Sequence, residues 1–259
     1  MTTEIVGLSL VRDEERFVER VLRNALALCD RILVADHDSR DATPEILAAL
    51  AAEDPRVEVH AVGHPAEAHE LVAPLAGRDL WVFGVDGDEV YDPRGLAELR
   101  RALLAGELGD WFSISANAVH CVELDLAAGR ARGYPAPPAR GLTKLYNFAG
   151  IDAWEGPVPE RLHGGTVRFR AGFDGSRRNE ELFEGGWEGS IFRCLHMCFL
   201  SRSSLDPQDG PRPNPLDVGE RRLLDRLRRR TPRKVMGYAK GELVTVSTAP
   251  FFPLSRPRT

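Results

Sequence analysis

The stretch Leu80-Trp81-Val82-Phe83-Gly84-Val85-Asp86-Gly87-Asp88-Glu89 constrains the fold more than any other part of the chain. It begins as an apolar run and ends in a knot of carboxylates. An apolar run of this length, closed by polar turn residues, predicts a buried strand. In open α/β sheets ligands bind at the carboxyl ends of strands, so Asp86, Asp88 and Glu89 lie where a ligand is expected. Acids this close repel one another unless a positive charge sits among them, and carboxylate oxygens suit a hard divalent cation such as Mg²⁺ or Mn²⁺. Gly87 allows the tight turn that would aim both aspartates at one point. Taken alone, the same residues also read as a solvated acidic turn.

Upstream, strands and helices alternate. Ile5–Val11 is a strand-like run, and Arg12-Asp13-Glu14-Glu15 then puts acids at a helix start. Phe17, Val18, Val21, Leu22, Ala25, Leu26 and Leu28 recur at helical spacing. Ile32–Ala35 predicts a second strand, followed by Asp36-His37-Asp38-Ser39-Arg40-Asp41; Thr43 is placed to cap the next helix, with Pro44 at its first position. Val57, Val59 and Ala61 alternate as a third strand, residues 66–75 predict a helix, and Pro93 opens another through Leu104. This β-α order predicts an α/β fold with a mostly parallel sheet and helices on both faces.

After residue 109 the pattern changes. Strand-like runs occur at 111–119, 143–148 and 166–170, Gly129 to Gly141 reads as a loop, and an apolar stretch surrounds His196. A Pro-rich loop is expected over 203–215, an arginine-faced helix over 217–230 and an extended tail after Leu243. The arginine-rich face reads first as solvated, with an anionic acceptor or membrane surface as the alternative. With no repeat and no clear linker, the expectation is one domain in two halves, 1–109 for a nucleotide and 110–259 for an acceptor.

Composition narrows the function classes. The 259 residues carry a net charge of −5, so no overall field draws the chain to nucleic acid or anionic membrane. No apolar run approaches a membrane span, and Met1-Thr2-Thr3-Glu4 lacks the basic-then-apolar pattern of a signal peptide. Cys29, Cys121, Cys194 and Cys198 form no disulfide framework, and a reducing cytoplasm is expected. Cys194 and Cys198 bracket His196, but without a second cysteine pair the spacing is not read as a zinc site. His60, His64 and His69 fit no metal pattern and read as surface residues.

Three landmarks stand together in order: an early strand followed by Arg12-Asp13-Glu14-Glu15, a second followed by Asp36 to Thr43, and a fourth ending in Asp86-Gly87-Asp88-Glu89. This arrangement resembles the family 2 glycosyltransferases of GT-A fold over roughly the first 105 residues, and more loosely beyond. There the second strand ends in an aspartate-containing Ser-x-Asp-x-Thr turn and the fourth in a "DXD" metal motif. The resemblance implies an inverting transfer of sugar from a nucleotide-sugar donor, with UDP the expected nucleotide, to a hydroxyl or amine acceptor. That acceptor would be a small natural product, a lipid-linked molecule or a polysaccharide.

The resemblance also distributes roles. Asp88 would hold the divalent cation, Mn²⁺ or Mg²⁺, with Asp86 nearby on the ribose or metal-bound water and Gly87 between them. His196 would add a metal ligand from the second half; the alternative is a satisfied core histidine. Asp36 would contact the nucleoside, with Asp38 close by, and backbone groups of Ser9, Val11 and Arg12 would line the base pocket. His37 stands where many relatives carry a second acid. Lys144 and Arg140 are placed to reach the diphosphate, although a solvated surface charge is the plainer reading of Arg140. A base must take the acceptor's proton. Glu160 is the first choice and Glu155 the second, in Trp154-Glu155-Gly156-Pro157-Val158-Pro159-Glu160, where Pro159 replaces the histidine of a Val-His-Glu segment seen in some relatives. Asp152 trails, and Trp154 reads either as a sugar platform or as core.

Two other classes compete. A nucleotidyltransferase would also use an α/β sheet and bound Mg²⁺, but it usually carries a Gly-rich basic loop after the first strand, where this chain has Arg12-Asp13-Glu14-Glu15. A non-catalytic nucleotide-binding homologue would keep the fold without the chemistry.

Overall fold

The computed structural model describes residues 3–137, 141–156, 162–179, 186–206 and 241–252. Strands β1 (Glu4–Val11), β2 (Arg31–Asp36), β3 (Val57–Ala61) and β4 (Leu80–Asp86) alternate with helices α1 (Val18–Ala25), α2 (Thr43–Glu53) and α3 (Glu67–Glu70). A short strand β5 (Glu89–Tyr91) precedes α4 (Pro93–Leu104). There follow β6 (Ser113–Asp125), β7 (Arg130–Ala136), β8 (Leu142–Asn147), β9 (Ile151–Glu155), β10 (Thr166–Phe169), β11 (Arg178–Asn179), α5 (Gly186–Gly189), β12 (Arg193–His196) and β13 (Val244–Ser247).

The main sheet runs β13-β7-β6-β8-β4-β1-β2-β3. Its β4-β1-β2-β3 end is parallel throughout, as the alternation of strands and helices requires. From β4 onward the path is antiparallel, through β8, β6, β7 and β13. The mixed α/β architecture with a parallel nucleotide-type sheet is therefore the one expected, and β8 pairing with β4 carries the sheet from the first half of the chain into the second.

Strand alternation sorts side chains onto two cores. Ile5, Ile32, Val34, Phe83 and Val85 face α1, α2 and α4, packing with Val21, Leu22, Leu47, Leu50, Leu96 and Leu99. Val6, Leu8, Leu33, Leu80 and Val82 face the other way, toward Val72, Phe112, Tyr146, Phe148 and Trp154. Trp154 on β9 is 6% exposed and donates its ring N–H to Gly164 O at 3.0 Å. It is core, and the sugar-platform alternative falls away. His69 is also buried, edge-on to Trp154 at 5.3 Å, which corrects its reading as a surface residue.

Several local expectations needed revision. The segment read as a loop from Gly129 holds β7, paired antiparallel to β6. Gly133 is what permits that pairing, since a Cβ there would stand 2.2 Å from His120 O. The helix expected over 66–75 is two short turns, α3 and a 3₁₀ turn at Ala73–Leu75, broken where Pro74 cannot continue an α-helix. Thr43 does not cap α2; its hydroxyl accepts from Glu14 N–H at 2.7 Å. No helix among the described residues is long and apolar enough to cross a membrane. The helix expected over 217–230, Arg140 and most of the Pro-rich loop lie outside the described residues.

Candidate functional site

Three parallel strands deliver the site. β1, β2 and β4 end in adjacent register, Val11 beside Asp36 and Leu10 beside Asp86, so the loops after them open at one edge. The first two loops are laced together. Asp13 N–H donates to Ser39 Oγ at 2.9 Å, Arg40 N–H to Asp13 Oδ1 at 2.7 Å, and Ala42 N–H to Glu15 Oε2 at 3.0 Å. Asp13 and Asp38 both adopt left-handed backbone, φ 52° and 51°, which aspartate tolerates better than most residues. The loop after β1 buries Glu14.

The turn after β4 is packed against that loop. At Gly87 a Cβ would meet Glu14 Cγ at 2.9 Å and Val11 Cγ1 at 3.2 Å. Glycine is needed here for close approach; its backbone is not left-handed. Asp88 is 1% exposed and Glu89 wholly buried, so their charges require partners. Lys144 on β8 donates to Asp86 Oδ2 at 2.5 Å and lies 2.8 Å from Glu89 Oε1. Tyr91 donates its hydroxyl to Glu89 Oε2 at 2.8 Å; burial first, then the Glu89 carboxylate, push that phenol well above its ordinary range, so it stays a donor. Arg202 donates to Asp88 Oδ2 at 2.6 Å and lies 3.2 Å from Glu14 Oε1.

β12 completes the corner. It pairs antiparallel with β5 and parallel with β6, which sets His196 opposite both Glu89 and His120. Met197 N–H donates to Asp88 O at 2.8 Å and clamps the turn. His196 Nε2 then lies 3.4 Å from Asp88 Oδ1, and its Nδ1 lies 3.0 Å from His120 Nδ1. Burial opposes a charge on His196, but Cys198 and the Asp88 carboxylate outweigh it and raise the imidazole well above its usual range.

The donor set suits a divalent cation. Two ligands on one ion, each bonded at about 2.1 Å, stand roughly 3.0–3.4 Å apart, and the Asp88–His196 separation falls in that range. Carboxylate oxygens with one imidazole suit Mn²⁺ or Mg²⁺. Asp86, two residues before Asp88, ends β4 and is held by Lys144.

The remaining sequence candidates spread around this corner. Asp36 ends β2 and accepts from Ser39 N–H at 3.3 Å. Burial holds its carboxyl above the usual range against that hydrogen bonding, with Asp13 and Asp41 adding to the rise. Asp38 is exposed. His37 is buried; burial and then the Arg12 guanidinium lower its pKa, so it stays neutral, with Arg12 Nη1 3.4 Å from its Nδ1. Ser9 is fully buried in the β1 ladder, and Val11 O already accepts from His37 N–H at 2.9 Å. Lys144, expected at the diphosphate, lies among the acids of the β4 turn. Glu155 ends β9 exposed, on the hairpin with β10, and Glu160 lies outside the described residues. Arg202, Glu14, His120 and Cys198 were not foreseen at this corner. A lone histidine inside the apolar run Ala116-Asn117-Ala118-Val119-His120-Cys121 was the one usable signal, because a buried imidazole needs a partner.

No curated protein matches the chain. Among solved structures it is similar to the mannosyltransferase PcManGT from Pyrobaculum calidifontis in complex with GDP-Man and Mn²⁺, at 18% identity over 45% of this chain and 36% of that one, with a TM-score of 0.35. It is similar to S. aureus TarS at 17% identity over 57% of this chain and 29% of that one, TM-score 0.38. It is also similar to glucosyl-3-phosphoglycerate synthase from Mycobacterium tuberculosis in complex with Mn²⁺, UDP and glucosyl-3-phosphoglycerate, at 20% identity over 45% and 44%, TM-score 0.35. The chain thus spans less than half the length of each of these proteins. The model of glycosyl transferase family 2 matches residues 10–174, well over half of the chain, including the ends of β1, β2 and β4. The chain belongs to glycosyltransferase family 2.

Proposed function

We propose that this family 2 chain is a metal-dependent inverting glycosyltransferase. It moves a sugar from a nucleoside-diphosphate donor, with UDP the expected nucleotide, to a hydroxyl or amine acceptor. The reading rests on the approach of His196 Nε2 to Asp88 Oδ1 at 3.4 Å, at the exit of β4. Asp88 and His196, with Asp86 beside them, would hold Mn²⁺ or Mg²⁺; a bound cation supplies neutralisation of the charge that grows on a departing diphosphate. Lys144 holds Asp86 in place, and the planar Arg202 guanidinium suits a phosphate oxygen once it leaves Asp88. Asp36 and Asp38, beside Ser9, Val11 and Arg12, offer acceptors for ribose hydroxyls and base N–H groups. A carboxylate on the β9 side, Glu155 or Glu160, would take the acceptor's proton as its oxygen or nitrogen attacks directly. Attack without a covalent intermediate inverts the anomeric centre. The acceptor class expected is a small natural product, a lipid-linked molecule or a polysaccharide.

The test is Asp88→Asn, with UDP binding measured by calorimetry with and without Mn²⁺ and with donor turnover measured alongside. Expected are loss of the Mn²⁺-dependent part of binding and a fall of about 10²–10³-fold in turnover, with the circular dichroism of the wild type retained. Unchanged turnover in a folded variant removes Asp88 from the mechanism.

A further inference from the structure

His196 presents its second ring nitrogen, which lies 3.9 Å from Glu89 Oε1, to a further group of metal-ligating side chains. Its Nδ1 faces His120 Nδ1 at 3.0 Å, and Cys198 Sγ lies 3.8 Å from that same His120 nitrogen. The three ligand atoms all fall within 4.8 Å of one another. The strands explain this convergence. β6 and β12 run parallel with His120 directly opposite His196, so both rings leave the sheet on one side. Cys198 follows two residues later, where the chain has turned after Met197. His120 is fully buried, His196 is 7% exposed, and Cys198 is the one cysteine of the four that is not buried.

We propose that His120 Nδ1, His196 Nδ1 and Cys198 Sγ form a three-ligand site for a borderline-soft divalent metal, Zn²⁺, distinct from the hard-cation position at Asp88. The separations fit such an ion. Zn–N bonds of about 2.05 Å and Zn–S bonds of about 2.3 Å at tetrahedral angles put two nitrogens about 3.3 Å apart and nitrogen and sulfur about 3.6 Å apart. The observed 3.0 and 3.8 Å lie within a few tenths of an ångström of these values. Thiolate with imidazole selects zinc over magnesium or manganese, and three protein ligands leave a fourth position open on the half-buried Cys198 side. Binding releases the Cys198 thiol proton together with the ring proton held between the two Nδ1 atoms, and leaves both rings protonated only on Nε2. The His196 Nε2–H then donates to Asp88 Oδ1, the carboxylate–histidine–metal arrangement in which an outer carboxylate fixes the ring's tautomer. Zinc on Nδ1 and a shared hard cation on Nε2 are thus alternative loadings of one neutral ring. A zinc-loaded chain would leave the hard cation to the oxygens of Asp88 and Asp86.

The test needs no nucleotide or acceptor. The full chain, stripped with chelator and titrated with Co²⁺, is expected to show a near-ultraviolet thiolate-to-cobalt charge-transfer band that saturates at one equivalent and is displaced by Zn²⁺. Cys198→Ser is expected to abolish the band, and His120→Gln to weaken Zn²⁺ binding by about tenfold or more. If the buried His120 variant fails to fold, the serine variant still decides the matter. Absence of the band in the wild type, or an undiminished band in Cys198→Ser, overturns the site. Neither result bears on Mn²⁺-dependent UDP binding, so this inference and the transferase reading fail separately.

Discussion

Lys144→Met isolates the link between sheet packing and the acidic corner. The Lys144 side chain is 5% exposed and bridges Asp86, 26% exposed, to Glu89, which is fully buried. Methionine keeps most of the stem's packing and removes the charge. Asp86 is open enough to hydrate, whereas buried Glu89 is left with the Tyr91 hydroxyl at 2.8 Å and the more distant His196 Nδ1 at 3.9 Å. Removing one partner of a buried ion pair costs about 3–5 kcal/mol because the other charge is stranded. For a chain of this size, at about 2–4 °C per kcal/mol, Tm should drop by roughly 6–20 °C. Thermal and urea denaturation followed by circular dichroism read this directly. The double variant Lys144→Met/Glu89→Gln should recover at least about 1 kcal/mol, since a neutral amide can still accept from Tyr91. A loss below about 1 kcal/mol in the single variant, or no recovery in the double, would refute the view that Lys144 neutralises a buried carboxylate.

Two further outcomes follow from the same geometry. Mn²⁺-dependent nucleotide affinity should rise with pH from the ordinary histidine value of 6.5 upward, because His196 is raised and must lose its proton to ligate a metal. In the metal-free protein the sign reverses. The imidazolium–Asp88 contact stabilises the fold fully below 6.5 and is lost as pH climbs through the raised value, so Tm should fall on the alkaline side and His196→Gln should flatten that fall. An affinity that is flat or declining with pH would count against His196 as a ligand. Trp154→Ala should cost about 3–5 kcal/mol of stability, as large aromatic truncations in cores do, while nucleotide affinity measured below the variant's Tm stays at the wild-type value. Weakened binding without destabilisation would return Trp154 to a recognition role.

The parts of the molecule legible in the sequence were those whose signal is local. β1, β2 and β4 are apolar runs with polar ends, and α4 starts at Pro93 behind Asp92, whose carboxylate accepts from Arg94 N–H. From those strand ends the Asp86–Asp88 turn could be placed at the sheet's mouth. β7 was illegible because Gly, Pro and Arg carry no strand preference. Its strand character comes from β6 alongside, and Gly133 records that closeness rather than a loop. β5 was hidden for the same reason, being three residues held by β12. Arg202 escaped because an exposed arginine and a bridging one look alike in sequence. Arg202 reaches Asp88 across 114 residues, and nothing near Ser201-Arg202-Ser203 announces it. The His120–His196–Cys198 cluster needed a parallel strand pairing between segments 76 residues apart before its members could be seen together.

The placement of β12 between β5 and β6 has a consequence for how the protein assembles. During synthesis the chain can lay down β1 through β4 early, with β2 and β3 pairing across single βα connections and β4 returning to pair with β1. The Asp86–Glu89 turn, however, receives its histidine, its Met197 clamp and its Arg202 counter-charge only when a much later segment threads the gap. Contacts of such long separation are slow to form. The nascent corner is therefore a knot of negative charge that Lys144 alone can offset at first, and Asp88 gains its counter-charges only with the segment from β12 to Arg202.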